Sequence, residues 1–243
     1  MLSSDTQKDG RYLSFRLLAL GLLSVRIIQG FIYWGGGSRR FIYAPEKLDP
    51  TAANWMANKF QTAMPGALFG FDHIVSYMLQ HFWLLYPGVI LFSLAELVAG
   101  LFLMLGQFTR FSAFLTMVFS VILMILFGWQ GATCIDEWTM AACNLAMGTT
   151  LFLCGSSEWA LDNAIYRRKP RWQAKSWLRW VLGSLPLPLE YNKFKTGSYG
   201  IQAVVGAAAT IILPPVPNPI LDNPLELKFR DASGHTFTVP VSR

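Results

Sequence analysis

The stretch from Trp83 to Gly106, WLLYPGVILFSLAELVAGLFLMLG, constrains the fold more than any other, because it is bilayer-length and carries one charge, Glu96. A span of about 20 apolar residues at about 1.5 Å rise each matches a hydrocarbon core of roughly 30 Å, so it reads as a transmembrane helix. An ionisable group in such a span costs roughly 2.5–3.5 kcal/mol on insertion scales. Glu96 must therefore face other protein or a wet cavity, and the other helices have to supply that shelter. Only 14% of the 243 residues are charged and 53% are hydrophobic, against a usual charged share of about 25%. The chain reads as an all-α integral membrane protein. Its net charge of +6 does not indicate nucleic acid, because much of the excess lies in one cluster between hydrophobic segments, which is the positive-inside pattern.

The first apolar run, Leu13 to Trp34, is interrupted by Arg16 and Arg26 and lacks the features of a cleavable signal, so it is expected to be a retained helix. Arg16 can snorkel to the cytoplasmic interface, whereas Arg26 would lie about 12 Å inside the outer end of a regular helix. Glu96 is its expected partner. Such a pair either fixes the bundle or forms the core of a site that handles charge or protons. Gly35-Gly36-Gly37 is expected to end this helix. The connection from Ser38 to Phe82 is longer than a passive link needs, and its bases are nearly cancelled by Glu46, Asp49 and Asp72. Within it, Pro50 to Thr62 reads as a short amphipathic helix with Trp55, Met56 and Phe60 on one side, and Met64 to Tyr77 can dip into the interface.

A third span is expected from Phe111 to Trp129, with Ser112, Thr116 and Ser120 forming a stripe suited to close packing. A short loop, Gly131 to Glu137, precedes a fourth span from Trp138 to Leu153. Cys134, Cys143 and Cys154 have no C-x-x-C spacing, and no metal site is expected. On a helix, Cys143 and Cys154 would be about 16 Å apart, beyond the roughly 7 Å reach of a disulfide; both read as buried small apolar residues.

Ser156 to Lys195 is polar and basic, with Trp172, Trp177 and Trp180 interleaved. It reads as a cytoplasmic loop whose middle lies on the membrane, which places the amino terminus and the Arg110 turn on the same side. Tyr199 to Leu213 supports a fifth crossing, and after PPVPNPILDNP the alternating Leu225, Leu227, Phe229 and Phe237, Val239, Val241 form a β-hairpin pattern. The expected organisation is a four-helix transmembrane domain over 1–162, a basic cytoplasmic or interfacial loop over 163–196, a fifth transmembrane helix over 197–216, and an extracytoplasmic linker and hairpin over 217–243.

The pieces Arg26 through GFIYWGGGSRRF and PEKLD, then ELVAGLFLMLGQFTRFSA, GWQGATCIDEW and LFLCGSSEWALD, resemble the DoxD-type small subunit of thiosulfate:quinone oxidoreductase, within the wider DoxX-like membrane proteins. The resemblance covers roughly Leu13 to Asp162 and keeps the order of the pieces. It implies an enzyme of the cytoplasmic membrane that couples two thiosulfates into tetrathionate on the outer face and passes two electrons to quinone. It also implies a DoxA-type extracytoplasmic partner subunit alongside lipid and quinone, and leaves room for a homo-oligomer.

A thiosulfate site needs fixed positive charge or amide donors, and Arg39 and Arg40 would supply it on the outer face. His73 and His81 could bind the anion or a quinone carbonyl. Quinone reduction takes up two protons, which gives Glu96, or Asp136 and Glu137, a chemical task; the latter two equally suit a helix start. Cys134, as a thiolate in a loop on the substrate side, could hold a covalent sulfur intermediate. The expected catalytic set is then Arg26, Glu96 and Cys134, with quinone as electron acceptor and no haem, flavin or nucleotide motif. The rival expectation is a non-catalytic membrane anchor for a redox partner.

Overall fold

The computed structural model describes residues 4–128, 136–168, 175–185, 187, 195, 226–230 and 236–240. Helix α1 runs from Ser4 to Ser38, followed by a π-helical turn over Arg39–Tyr43 and a 3-10 turn over Pro45–Leu48. Two short helices follow, α2 (Met56–Ala63) and α3 (Phe71–Gln80). The long helices α4 (Phe82–Leu105), α5 (Thr109–Phe127) and α6 (Asp136–Cys154) come next, then the short α7 (Leu161–Arg168) and α8 (Leu178–Val181). Strands β1 (Glu226–Arg230) and β2 (Thr236–Pro240) pair antiparallel, with Lys228 opposite Thr238.

Among the described residues, three helical stretches are long and apolar enough to cross a membrane: Arg16–Tyr43, Phe82–Leu105 and Thr109–Phe127. Their outward faces carry large apolar side chains such as Leu17, Phe31, Leu91 and Phe114, as a lipid-facing surface requires. Helix α6 packs along α5 and against α1, while α1 lies along α4.

Small residues let these helices approach closely. A side chain at Gly30 would put its Cβ 2.7 Å from Met104 Cγ and 2.9 Å from the Gly100 carbonyl, and one at Gly100 would collide with the Trp34 backbone. On the other pair, Ser112, Thr116 and Ser120 are wholly buried, and a Cβ at Gly148 on α6 would lie 2.9 Å from Met117 Cγ and Thr116 Oγ1. The stripe on α5 is thus the contact that small residues permit.

The glycine triplet does not end α1, which continues through it to Ser38. Glycine weakens a helix but does not stop one when neighbours hold it. Here Gly37 presses against α4, where a Cβ would fall 2.7 Å from the Leu97 backbone. These contacts also set the antiparallel register, which brings Gly30 to Gly100 and Gly37 to Leu97.

Above the end of α1, the 39–81 connection fills the space beside α4 and α5. Ala57 packs with Leu85 and Val89, covered by Leu48, Trp55, Met56 and Phe60. Ala63 and Val75 pack with Leu126, and the Leu68 amide donates to the Ile125 carbonyl at 2.9 Å. The expected amphipathic segment is therefore shorter, starting at Met56, and its Trp55–Phe60 side is the buried one.

The opposite end is closed by the basic segment, which folds under the helices. Asp162, wholly buried, accepts from the amides of Phe108 at 2.8 Å and of Thr109 and Gly183 at 2.9 Å. It thereby caps α5 from 53 residues away in sequence. Arg110 donates to the carbonyls of Phe152 at 2.9 Å, Arg179 at 2.7 Å and Leu182 at 3.0 Å, and to that of Leu185. Leu178, Leu182 and Leu185 pack there with Phe108 and Tyr166.

Candidate functional site

The ion pair at the centre of the molecule is Arg40–Glu96, and Arg26 takes no part in it. Fourteen residues of regular helix separate Arg26 from Arg40, about 21 Å. Since α1 and α4 are antiparallel, Arg26 falls at the Gly106 end of α4, where its Nη1 and Nη2 face the Glu158 and Trp159 carbonyls at 3.5 and 3.4 Å. It is buried there, within the attraction of the Asp162 charge. Glu96 lies about 13 Å from the Leu105 end of α4 and about 21 Å from its Phe82 end at 1.5 Å per residue. The pair is therefore well inside the helix array.

Arg40 reaches this depth because the π-helical turn over Arg39–Tyr43 continues α1, and Arg40 follows Gly37 by three residues on the face that packs against α4. Its Nη1 donates to Glu96 Oε2 and, at 3.3 Å, to Ser93 Oγ, and its guanidinium stands 5.7 Å from the centre of the Phe92 ring. Ser93 in turn donates to the Val89 carbonyl at 2.8 Å. A carboxylate that is 6% exposed is thus compensated by a fixed guanidinium and an orienting hydroxyl.

The pair forms part of the wall of a cavity of about 420 Å³, within the size range of small-ligand sites. Its wall draws on α1 (Tyr33, Gly35, Gly36), the turns that follow (Arg39, Arg40, Lys47), α2 (Lys59, Phe60), α4 (Phe92, Glu96), α5 (Leu123, Phe127) and α6 (Glu137, Asn144). At the rim, Lys59 bridges to Glu137 at 2.8 Å and lies 5.3 Å from the Phe127 ring centre. Deeper in, the Tyr33 hydroxyl donates to the Thr116 carbonyl at 3.0 Å and shares a hydrogen bond with Ser120 at 3.1 Å. Gln29 donates at 3.1 Å to the Thr116 hydroxyl and at 2.8 Å to the Asn144 carbonyl, tying α1 to both α5 and α6.

Four cations face two carboxylates in this wall. Among the described residues, neither Arg39 nor Lys47 has a carboxylate within ion-pair distance. The strain shows at Lys47, whose proton affinity is held below the usual lysine range by burial and then by the nearby charges of Arg39, Arg40 and Lys59. Such an excess of like charge around a cavity is relieved by an anion.

Of the residues expected from sequence, Arg39, Arg40, Glu96 and Glu137 meet at this cavity. His73 is exposed beside Asp72 at 3.9 Å, and His81 stacks on Tyr77 and bonds its carbonyl at 2.8 Å, both away from the cavity wall. Asp136 begins α6; its side chain, Cys134 and the expected fifth crossing over 197–216 lie outside the described residues. Cys143 and Cys154 are exposed free thiols on the outer stripe of α6, not buried ones, because that helix turns Asn144, Gly148 and Leu151 inward. Lys47, Lys59, Tyr33 and Asn144 join the cavity without having been singled out. For the two lysines the signal was the cations of the connection, hidden because Glu46, Asp49 and Asp72 nearly cancel them in number while none of the three lines the cavity.

A comparison with solved structures returns no match. A family model described as the TQO small subunit DoxD, TQO being thiosulfate:quinone oxidoreductase, matches residues 22–190. That range contains the cavity, its ion pair and the Asp162 clamp, and covers well over half of the chain. With its apolar helices, the chain therefore belongs to the DoxD family of membrane subunits of thiosulfate:quinone oxidoreductase.

Proposed function

We propose that the cavity binds thiosulfate and that the chain oxidises it, coupling two thiosulfates through their sulfane sulfurs into one tetrathionate. Two electrons pass to a membrane quinone, which takes up two protons and leaves as quinol. The observation that carries this reading is the cavity's charge among the described residues: four cations, two of them without a carboxylate at ion-pair distance, against two acids. A small dianion neutralises that surplus. Guanidinium forks at Arg39 and Arg40 match an oxyanion end, and the aromatic and aliphatic wall suits both the sulfane sulfur and a quinone ring.

In this reading Glu96 holds Arg40 in place while the site is empty and exchanges protons when quinone is reduced. Arg26 belongs to the packing of the Gly106 end, and His73 and His81 have no part. Glu137 lines the cavity rim, and Asp136 and Cys134, one and three residues before it in the sequence, stay in this reading as an acid and a thiol that act with it. We place α6 as a fourth crossing beside α1, α4 and α5, a fifth crossing over 197–216, and the paired strands outside the cytoplasmic membrane as a docking piece for a DoxA-type partner. The amino terminus and the basic segment then face the cytoplasm.

Radiolabelled thiosulfate binding to the purified, detergent-solubilised chain tests the anion site. Saturable binding in the wild type, lost by at least tenfold in Arg40→Gln and in Lys47→Gln, is expected. Unchanged affinity in both folded variants would move the anion elsewhere.

A further inference from the structure

The cavity wall contributed by α1 has a gap that packing does not explain. Gly30, Gly37 and Gly100 sit where backbones meet, and a Cβ at any of them would come within 3 Å of another helix. Gly35 and Gly36 differ. Among the described residues, nothing lies within 4 Å of a Cβ built at Gly35, and at Gly36 the nearest atom is Glu96 Oε2 at an ordinary 3.6 Å. Neither has a positive φ that would call for glycine. Inside a helix each costs about 1 kcal/mol relative to alanine, so the sequence keeps two weak positions that neither backbone geometry nor helix contact demands. Both line the cavity, and Gly35 stands one turn before Arg39, which has no carboxylate at ion-pair distance among the described residues, on the same helical face.

We propose that the bare backbone at Gly35 and Gly36 is the seat of the anion, so that space left by two missing side chains sets which ligand fits between Arg39, Arg40 and Glu96. This rests on the reading that the cavity takes a thiosulfate-sized dianion, and it assigns the size limit to particular residues. A methyl group at Gly35 narrows the seat, and an isobutyl group occupies it. Gly37, two residues on, answers to helix packing alone.

The test is thiosulfate affinity by calorimetry together with the melting temperature, for the wild type, Gly35→Ala, Gly35→Leu, Gly37→Ala and Arg40→Gln. Gly35→Leu is expected to weaken binding at least tenfold and Gly35→Ala less, both with melting temperatures no lower than wild type. Gly37→Ala is expected to melt lower, because its Cβ meets the Leu97 backbone. Wild-type affinity in Gly35→Leu alongside lost affinity in Arg40→Gln would overturn the seat and leave the cavity reading standing. Wild-type affinity in both would overturn the two together. If Gly35→Leu does not fold, unchanged affinity in Gly35→Ala overturns the seat. Affinity that merely tracks melting temperature across the series, Gly37→Ala included, also overturns it.

Discussion

Arg40 and Glu96 show how a charge inside an apolar helix is made tolerable, and how far sequence can go in finding its partner. That Glu96 needs shelter follows from its neighbours. That Arg40 supplies it does not, because the glycine triplet reads as a helix end, and only the continuation of the helix through Arg39–Tyr43 keeps the guanidinium beside α4. Removing one member leaves the other buried and unpaired, a change that typically costs about 3–5 kcal/mol. Arg40→Gln and Glu96→Gln are each expected to destabilise the chain by about that amount, and the double variant by clearly less than the sum. Chemical denaturation in detergent checks this, and strictly additive effects would mean that the two do not interact.

Lys47 supplies a pH signature at the same scale. Its proton affinity is lowered in the empty fold, so the unfolded chain binds more protons between that lowered value and the ordinary 10.5, and its contribution to stability rises with pH across this window. Anion binding has the opposite sign, since a deprotonated lysine no longer attracts a dianion. Thiosulfate affinity is therefore expected to fall as pH rises into the window, starting below 10.5, and the fall attributable to this group should vanish in Lys47→Gln. An affinity profile identical in the two proteins would exclude Lys47 from the site.

At the scale of elements, the helices from Phe82, Thr109 and Asp136 lie close to where their apolar runs place them, because continuous hydrophobicity and the turn glycines leave little freedom. Gly106, in the left-handed region, ends α4 with its amide on the Leu103 carbonyl at 3.0 Å, a stop that glycine readily provides. The end of α1 was less legible. A glycine triplet looks like a break until Leu97 is known to press on it. The Asp162 cap was likewise hidden, since nothing in the local sequence links it to Phe108 and Thr109. Asp162→Ala leaves the Phe108 and Thr109 amides at the α4–α5 turn and the Gly183 amide after α8 without their acceptor, each buried donor being worth about 1–3 kcal/mol. It should lower the melting temperature more than any exposed substitution on α7 while leaving thiosulfate affinity in the folded fraction unchanged. Lost affinity at wild-type stability would tie the clamp to the site instead.

Across the whole molecule, one end is a structural clamp built on Asp162, Arg110 and Arg26, and the other half holds the cationic cavity under the 39–81 connection. Sequence reading recognised the family and the membrane character, but it gathered Arg26 and Glu96 at one end because helix register is set by contacts such as Gly30–Gly100 that composition does not reveal. Separating the two ends predicts separable phenotypes. Substitutions at the clamp affect stability alone, and those around Arg40 affect chemistry as well as stability.

The most direct test of that central claim is optical quinone reduction with thiosulfate as donor, with tetrathionate quantified in parallel, in the purified wild type and in Arg40→Gln. The cavity as active site predicts quinol and tetrathionate in equal amounts from the wild type, and a loss of kcat/KM of at least ~100-fold in the variant, a ΔΔG‡ of about 2.7 kcal/mol. A folded wild-type chain that produces neither, alone or with its co-purifying partner, or an Arg40→Gln variant that turns over at the wild-type rate, would contradict it.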